Sequence, residues 1–375
     1  MGILAPAAFI SEGASAATRT LSRWFPRPHL LLPRAAGIDI SDASIKWIVL
    51  HDGAIGKEVQ AFGREPLQSG IVVNGVVEDA PALAEVLRTL KDKMGVECAH
   101  AALPEESAYV FSMQVPEVSS RGHVCSMIEF ELQDRVPIAP AEAVYDFDVI
   151  ARGEADMEIG VTVFPQELAE HYASVFSAAG IELLSLEVEA RSIARAVSST
   201  ERNEPITLIV DFGELRTGLA VLKRGIPIFT STVAVGGGSI DYVLSEKLAL
   251  TPEAATTFKN EEGLLAHNGK SSAGLEAITG TTSALADEVV RHFHYWDTRR
   301  SERGDRLTPL EQVFLLGGSG NLKGLGDYLA ARVQVEVVRP SVWRNVCSFD
   351  EYIPPIERRA SLQFATAIGL ALRSA

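Results

Sequence analysis

The sequence is short of cysteine, of long apolar runs and of positive charge, and each shortage closes off a class of function. Its three cysteines, Cys98, Cys125 and Cys347, lie too far apart for metal-ligand or redox spacing, so three reduced thiols in a cytoplasmic chain are expected. No apolar stretch reaches the ~18 residues needed to cross a bilayer. The start, MGILAPAAFISEG, lacks the basic leader of a signal peptide. Work at a membrane would therefore require another protein as a tether. Lys and Arg total 34 against 49 Asp and Glu, a net charge of −15. Phosphate backbones are gripped by clustered cations, so a nucleic-acid partner is excluded, as is general adhesion to anionic lipid.

What is present is ordinary for a folded chain: 375 residues, 47% hydrophobic and 22% charged. That length suits two domains, or one duplicated domain with an insertion. Residues 208–222, LIVDFGELRTGLAVL, carry the strongest signal. Apolar residues run into Asp211 and Gly213, then Arg216, Thr217 and Gly218 lead into a second apolar strand, the pattern of a β-hairpin with a polar tip. An acid at the end of a buried strand is costly unless a cation or donors meet it. A neighbouring glycine lets backbone N–H groups curl around an anion. The same device occurs at 36–50, AGIDISDASIKWIVL, with Asp39, Ser41, Ser44 and Lys46. Two such hairpins, about 170 residues apart, point to a duplicated domain holding one metal–phosphate pair from both sides. Mg²⁺ keeps most of its waters, so Asp39 and Asp211 would suffice as its protein partners, through water.

The rest of the chain reads as α/β. Strands are predicted at 37–40, 45–50 and 59–62, with His51-Asp52-Gly53 as a turn. A helix is predicted at 79–94, capped by Asp79, with Leu83, Val86, Leu87 and Leu90 at helical spacing, then a small-residue strand at 99–103. Residues 104–166 break the pattern: a strand at 109–115, a helix at 119–136, and strands at 145–151 and 158–165. A helix at 166–179 stops at Gly180, and a strand and a helix precede the central hairpin. Gly236-Gly237-Gly238 opens a helix, and 252–296 is mostly helical, ending in a stripe of Leu285, Val289, Phe293 and Trp296. LLGGSGNLKGL (315–325) is a strand running through Gly317, Gly318 and Ser319 into a helix, and the apolar helix at 360–373 should be buried. Residues 1–34 are basic and proline-broken, a flexible extension.

Some motifs fail on spacing. GLLAHNGKS (263–271) has five residues between its glycines and no preceding strand, so it is not a P-loop. His292 and His294 face different sides of a helix and make a poor metal pair.

The order of parts resembles the actin-like ATPase superfamily: GIDISDASIK, EVEARSIARA, VDFGELRTGL, a diglycine helix and LLGGSGNLKGL. Within it the chain is similar to the FtsA/PilM branch, and there to the PilM family of type IV pilus assembly, through VPIAPAEAVYDFDVI, FPQELAEHYASVFSAAGIELLSLEVEARSIARA and SLQFATAIGLALR. The resemblance spans about residues 36–373. It implies two RNase-H-like lobes around a nucleotide cleft, with a small α+β insert subdomain in the first lobe. The first lobe would take 35–103 and 167–205, the insert 104–166, the second lobe 206–250 and 311–354, a helical small subdomain 251–310, and a helix packed on the first lobe 355–375.

By motif position, Asp39, Ser41, Ser44 and Lys46 would form the first phosphate loop, and Asp211, Gly213, Arg216 and Thr217 the second. Glu189 would be the catalytic acid that orients Mg²⁺ or water, Gly317, Gly318 and Ser319 would line the adenosine, and Lys259 and Glu262 would cover it. The implied cofactors are ATP or ADP with Mg²⁺. Asp42, an extra carboxylate in the first loop, implies at most slow hydrolysis. The implied partners are the cytoplasmic N-terminal tail of a PilN-like single-span membrane protein, in a groove between first lobe and insert, and other pilus platform proteins. The chain would then be cytoplasmic and peripheral to the inner membrane. Two alternatives remain at this point. An FtsA-like cell-division protein would carry an amphipathic membrane helix beyond the fold, whereas this sequence stops at Ala375. A small-molecule kinase would need a general-base aspartate in a substrate pocket, and none stands out.

Overall fold

The computed structural model describes residues 33–53, 56–117, 119–199, 204–265, 272–300 and 308–373. The extension predicted at 1–34 lies almost wholly outside them.

An antiparallel meander opens the fold: β1 (Ala35–Ile40), β2 (Ser44–Gly53) and β3 (Gly56–Pro66). The turn predicted at His51-Asp52-Gly53 is corrected, because the ladder carries these residues on in β2, with Gly53 opposite Gly56. β4 (Val72–Val73) and β5 (Val76–Val77) form a small hairpin turned by Asn74 and Gly75, both at positive φ. Helix α1 (Ala80–Met94) begins at Asp79, whose carboxylate accepts from the Ala82 N–H at 2.9 Å, and ends at Gly95 with φ 66°. Its buried stripe is Leu83, Leu87, Leu90 and Met94. β6 (Cys98–Leu103), nearly all small residues, fits between β1 and a later parallel strand.

β7 (Tyr109–Pro116), α2 (Arg121–Arg135), β8 (Ala143–Arg152) and β9 (Asp156–Pro165) make a separate three-stranded sheet, ordered β7-β9-β8, with its own core around Val124, Ile128, Leu132, Ile159 and Val161. The chain then returns through α3 (Gln166–Ala178), β10 (Glu182–Val188) and α4 (Glu189–Val197). β10 pairs in parallel with β6.

The second half repeats the plan. β11 (Thr207–Phe212), β12 (Thr217–Lys223) and β13 (Ile226–Val233) form a meander. After α5 (Gly237–Leu248), α6 (Pro252–Glu262) and α7 (Ser272–Thr298) come β14 (Gln312–Leu316), α8 (Leu325–Val333) and β15 (Glu336–Val338), the two strands parallel to β11 and to each other. The sheet orders are β3-β2-β1-β6-β10 and β13-β12-β11-β14-β15. Position by position they match, which makes β1 the counterpart of β11 and β6 that of β14. The predicted stripe on α7 is buried, with Trp296 against the Phe229 ring at 5.1 Å.

Between the sheets lies a third core that belongs to both: Ile48, Ile193, Ile209, Phe314, Trp343 and Ile368 are all in it. The C-terminal helix predicted at 360–373 is broken into α9 (Arg358–Ser361), a 3₁₀ turn (Leu362–Phe364) and α10 (Ala365–Ala371). The turn seats both Leu362 and Phe364 in the shared core. α10 lies so close to its neighbours that a Cβ on Gly37 would fall 2.0 Å from the Ala367 carbonyl, and one on Gly369 would fall 1.8 Å from that of Ser192. Two glycines thus set the distance between the first sheet, α4 and the C-terminus.

Candidate functional site

The matched strands end at one cleft. Asp39 stands on β1, and Lys46, its partner across the ladder, reaches back to put Nζ 3.1 Å from Asp39 Oδ2. On the second hairpin Asp211 faces Gly218, the position equivalent to Lys46. The missing side chain has a use. A Cβ on Gly218 would lie 2.8 Å from Glu105 Oε2, so the glycine leaves room for a carboxylate arriving from the end of β6. Glu105 accepts from the Ala190 N–H in the first turn of α4, which Glu189 begins.

Negative charge is in excess here. Burial pushes the Asp211 carboxyl up to about 6, with Lys46 opposing and Asp39 reinforcing the shift. Glu105 is held well above the ordinary range by burial, then by the charges of Asp211 and Glu106. Glu189 is raised by burial and by Asp39, Glu105, Glu106 and Asp211. Lys46 loses hydration on burial, yet Asp39 above all, with Asp211 and Glu189, keeps its ammonium favoured. A divalent cation would relieve this imbalance, and the donor set, carboxylates beside glycine-lined backbone, suits one. Among the described residues no three His, Cys, Asp or Glu side chains converge on one metal position, so such an ion would be held chiefly through water.

The two hairpin tips interlock. Asp42 accepts from the N–H groups of Asn74 and Gly75 at 2.9 and 3.0 Å and pairs with Arg216 from the other hairpin. Arg216 also pairs with Glu106, and Arg64 reaches Glu214 at 2.8 Å. Asp42 therefore is not a loose carboxylate facing the cleft. Ser41 donates its hydroxyl to the Ser44 carbonyl at 2.9 Å, which shapes the first turn, and Ser44 is buried. Thr217 is buried too, its hydroxyl on the Val235 carbonyl at 2.6 Å.

Glycines bring the remaining predicted residues against the second hairpin. The Gly213 N–H bonds the Arg216 carbonyl at 3.0 Å, and its own carbonyl accepts from Gly237 at 3.0 Å. Gly317, at φ 82°, sits where a Cβ would be 2.6 Å from Asp211 Oδ1. A Cβ on Gly237 would collide with Ser319 Oγ, so the diglycine helix start and the Gly317–Ser319 turn touch, while Gly318 is exposed. Lys259 is buried, donating to the Gly237 carbonyl at 3.2 Å and pairing with Asp241. Glu262 is exposed at the end of α6. Asp39, Lys46, Glu189, Asp211 and Gly317 thus come together. Ser44 and Thr217 support the loops from behind, and Glu262 stands apart. Glu105, Glu106 and Arg64 were missed by sequence reasoning. The available signal was an acid pair, Glu105-Glu106, just past the end of a small-residue strand.

Two sheets of matched order around a carboxylate-lined cleft define the actin-like ATPase fold. The chain belongs to the family described as type IV pilus assembly protein PilM, whose pattern matches residues 37–375. It is similar to the solved structure of a PilM–PilN type IV pilus biogenesis complex, at TM-score 0.73 and 21% identity over 91% of this chain and 98% of that one. The ethanolamine utilization protein EutJ from Carboxydothermus hydrogenoformans matches at TM-score 0.52 and 19% identity, covering 91% of this chain and 89% of that one. MreB5 of Spiroplasma citri bound to ADP matches at 0.53 and 14%, covering 92% and 96%. Among the described residues no helix is long and apolar enough to cross a membrane.

Proposed function

We propose that this protein is a nucleotide-binding adaptor of the pilus assembly platform, cytoplasmic and held at the inner membrane by a PilN-like protein. The observation that carries the nucleotide half is the duplicated hairpin, which delivers Asp39 and Asp211 to one cleft beside an uncovered excess of negative charge. Mg²⁺ with ATP or ADP would supply the missing positive charge and the phosphate. Asp39 and Asp211 would hold the ion through water, Lys46, Gly213 and Arg216 would meet phosphate, and Ser41, Ser44 and Thr217 would keep the loops in shape. Gly317, Gly318 and Ser319 would bound the adenosine, Lys259 would brace the Gly237 turn, and Glu262 would lie at the rim. A cavity of about 430 Å³ lies between the insert and the first lobe, lined by Phe147, Asp148, Phe164, Glu187, Arg191 and Arg373. It runs between β8 and β10, the edge strands of their sheets. An extended peptide such as a PilN-like tail is read by strand edges and side-chain pockets of this kind. Turnover would be slow, far below the ~10 s⁻¹ of a median enzyme. Burial and the neighbouring carboxylates raise both Glu189 and Glu105, which disfavours the ionised, proton-accepting form of each in the nucleotide-free cleft.

Thermal melting of nucleotide-free protein tests the cleft. Mg-ATP at 100 times its dissociation constant should add about 2.7 kcal/mol of stability. Asp211→Ala should remove most of that gain. No shift for the parent protein would refute the site.

A further inference from the structure

Residues 339–357, which join β15 to α9, are pinned to the fold at several points. Trp343, Val346 and Ile356 are buried in the core that the two sheets share. The Asn345 side-chain amide donates to the carbonyls of Arg195 and Ser198, both at 2.8 Å. The same connection covers the start of β3, the edge strand of the first sheet. The Lys57 N–H donates to the Val346 carbonyl and the Val59 N–H to the Tyr352 hydroxyl, each at 3.1 Å.

What this anchored connection turns outward is apolar and acidic at once. Phe349 is 51% exposed and Ile353 81%, the highest value for a large apolar side chain among the described residues. Single exposed apolar residues are commonplace, but two held on one pinned connection and ringed by acids make a contact surface. Asp350, Glu351 and Glu357 are exposed around them, and among the described residues none of the three has a cation in ion-pair contact.

The complement lies in the same chain. Residues 1–32 precede the described part and hold Arg19, Arg23 and Arg27, with Trp24, Phe25 and the run Leu30–Leu32, against one acid, Glu12. The chain enters the fold beside the patch. Arg34 Nη1 donates to Gln60 Oε1 at 3.4 Å, and Gln60 follows the Val59 whose N–H holds Tyr352. About ten extended residues reach ~33 Å, so the stretch from Trp24 to Leu32 is within range. Pro26, Pro28 and Pro33 favour an extended chain over a helix, which lowers the cost of ordering it along a surface.

We propose that residues 19–32 dock on this face of their own chain, with Trp24, Phe25 and Leu30–Leu32 against Phe349 and Ile353, and Arg23 and Arg27 among Asp350, Glu351 and Glu357. Neither the cleft nor the groove takes part. Apolar contact supplies the affinity, and the opposite charges select the face and the register.

Trp24 reports on the docking. Trp47, Trp296 and Trp343 are all buried, so acrylamide quenching of the full chain's fluorescence reads chiefly Trp24. In the parent protein Trp24 should be shielded, and quenching should barely exceed that of Trp24→Phe. Phe349→Ser with Ile353→Ser, and separately Asp350→Lys with Glu351→Lys, should abolish the shielding and bring Trp24 to the quenching of a peptide of residues 15–33. Arg23→Glu with Arg27→Glu should do the same. Combined with Asp350→Lys and Glu351→Lys, it should recover the shielding, and that rescue separates lost docking from lost fold. Peptide-like quenching of Trp24 in the parent overturns the proposal. So does shielding that neither patch variant lifts, which puts the segment on another face. Shielding that vanishes on dilution assigns the segment to a second copy, and shielding that needs vesicles of anionic lipid assigns it to a membrane surface; either result overturns docking within the chain.

Discussion

Arg216 in the tip of the second hairpin pairs with Asp42 in the tip of the first, closing an ion pair across the cleft between the two lobes. Glu106 takes the other side of the same guanidinium. The residue best placed to meet a phosphate is therefore occupied by carboxylates in this structure. A bound nucleotide must exchange one set of partners for the other.

That exchange predicts opposite effects from two substitutions that break one contact. Arg216→Ala removes a phosphate ligand and should weaken ATP binding by about tenfold, or roughly 1.4 kcal/mol. Asp42→Asn frees the guanidinium and should strengthen it by a similar factor. Both should lower nucleotide-free stability by about 1 kcal/mol, the scale of an ion pair that is largely but not wholly covered. Calorimetric affinities that move in the same direction for the two variants would refute the exchange.

Asp211 gives the nucleotide-free protein a pH dependence of definite sign. Its carboxyl titrates at about 6 when folded, against an ordinary value of 3.8. The folded state then binds the proton more tightly than the unfolded chain. The stability from this group is fully present below about 4 and is lost as pH rises through about 6. A shift of about two units is worth roughly 3 kcal/mol. Asp211→Asn should accordingly be more stable than the parent at pH 7.5, by up to that amount, and nearly equal to it at pH 4. Urea melts at the two pH values measure the difference between the proteins, in which titrating groups remote from the cleft cancel. A parent more stable than the variant at pH 7.5, with no nucleotide present, would reverse the sign and exclude an uncompensated Asp211.

The parts of the fold legible in sequence are those fixed locally. The hairpins around Asp39 and Asp211 are alternating strands joined by turn residues, α1 is bracketed by Asp79 and Gly95, and the α7 stripe repeats at helical spacing. The acid pair Glu105-Glu106 could be read after its strand, but the place of Glu105 in the cleft could not, because it depends on β6 pairing beside β1 and on Gly218 leaving a gap about 110 residues further along the chain. Arg191 was invisible because its acceptors, Asp148 and the Gly225 carbonyl, come from two segments distant from it in sequence. The His51-Asp52-Gly53 turn was misplaced because turn-type residues continue the β2–β3 ladder out to the described edge of that hairpin. The break in the C-terminal helix follows from the shape of the shared core into which Leu362 and Phe364 fit, which no local pattern encodes.

The C-terminal helix is fastened by one buried acid, and that acid should be the most sensitive charged position outside the cleft. Glu187 is the penultimate residue of β10 and is 8% exposed. Burial alone would raise its carboxyl, but Arg195 and Arg373, helped by the Ser192 hydroxyl, hold it down to about 2. Arg195 Nη2 donates to Oε2 at 2.8 Å, and Nη1 also donates to the Gly369 carbonyl at 2.8 Å in α10. Arg373 pairs with the same carboxylate just past α10. Glu187→Gln would leave both guanidinium groups without their shared anion in a region that also forms the groove floor. Removing one partner of a buried ionic cluster typically costs about 3–5 kcal/mol. The variant should melt at correspondingly lower urea, and hydrogen exchange should speed up first in α10 and along β10. Its stability should also depend less on pH, because the depressed carboxyl contributes stability above its ordinary value of 4.5 that is lost as pH falls toward about 2. A loss below about 1 kcal/mol, with α10 still protected, would show that the packing of Gly37 and Gly369 fastens the C-terminus without the charge cluster.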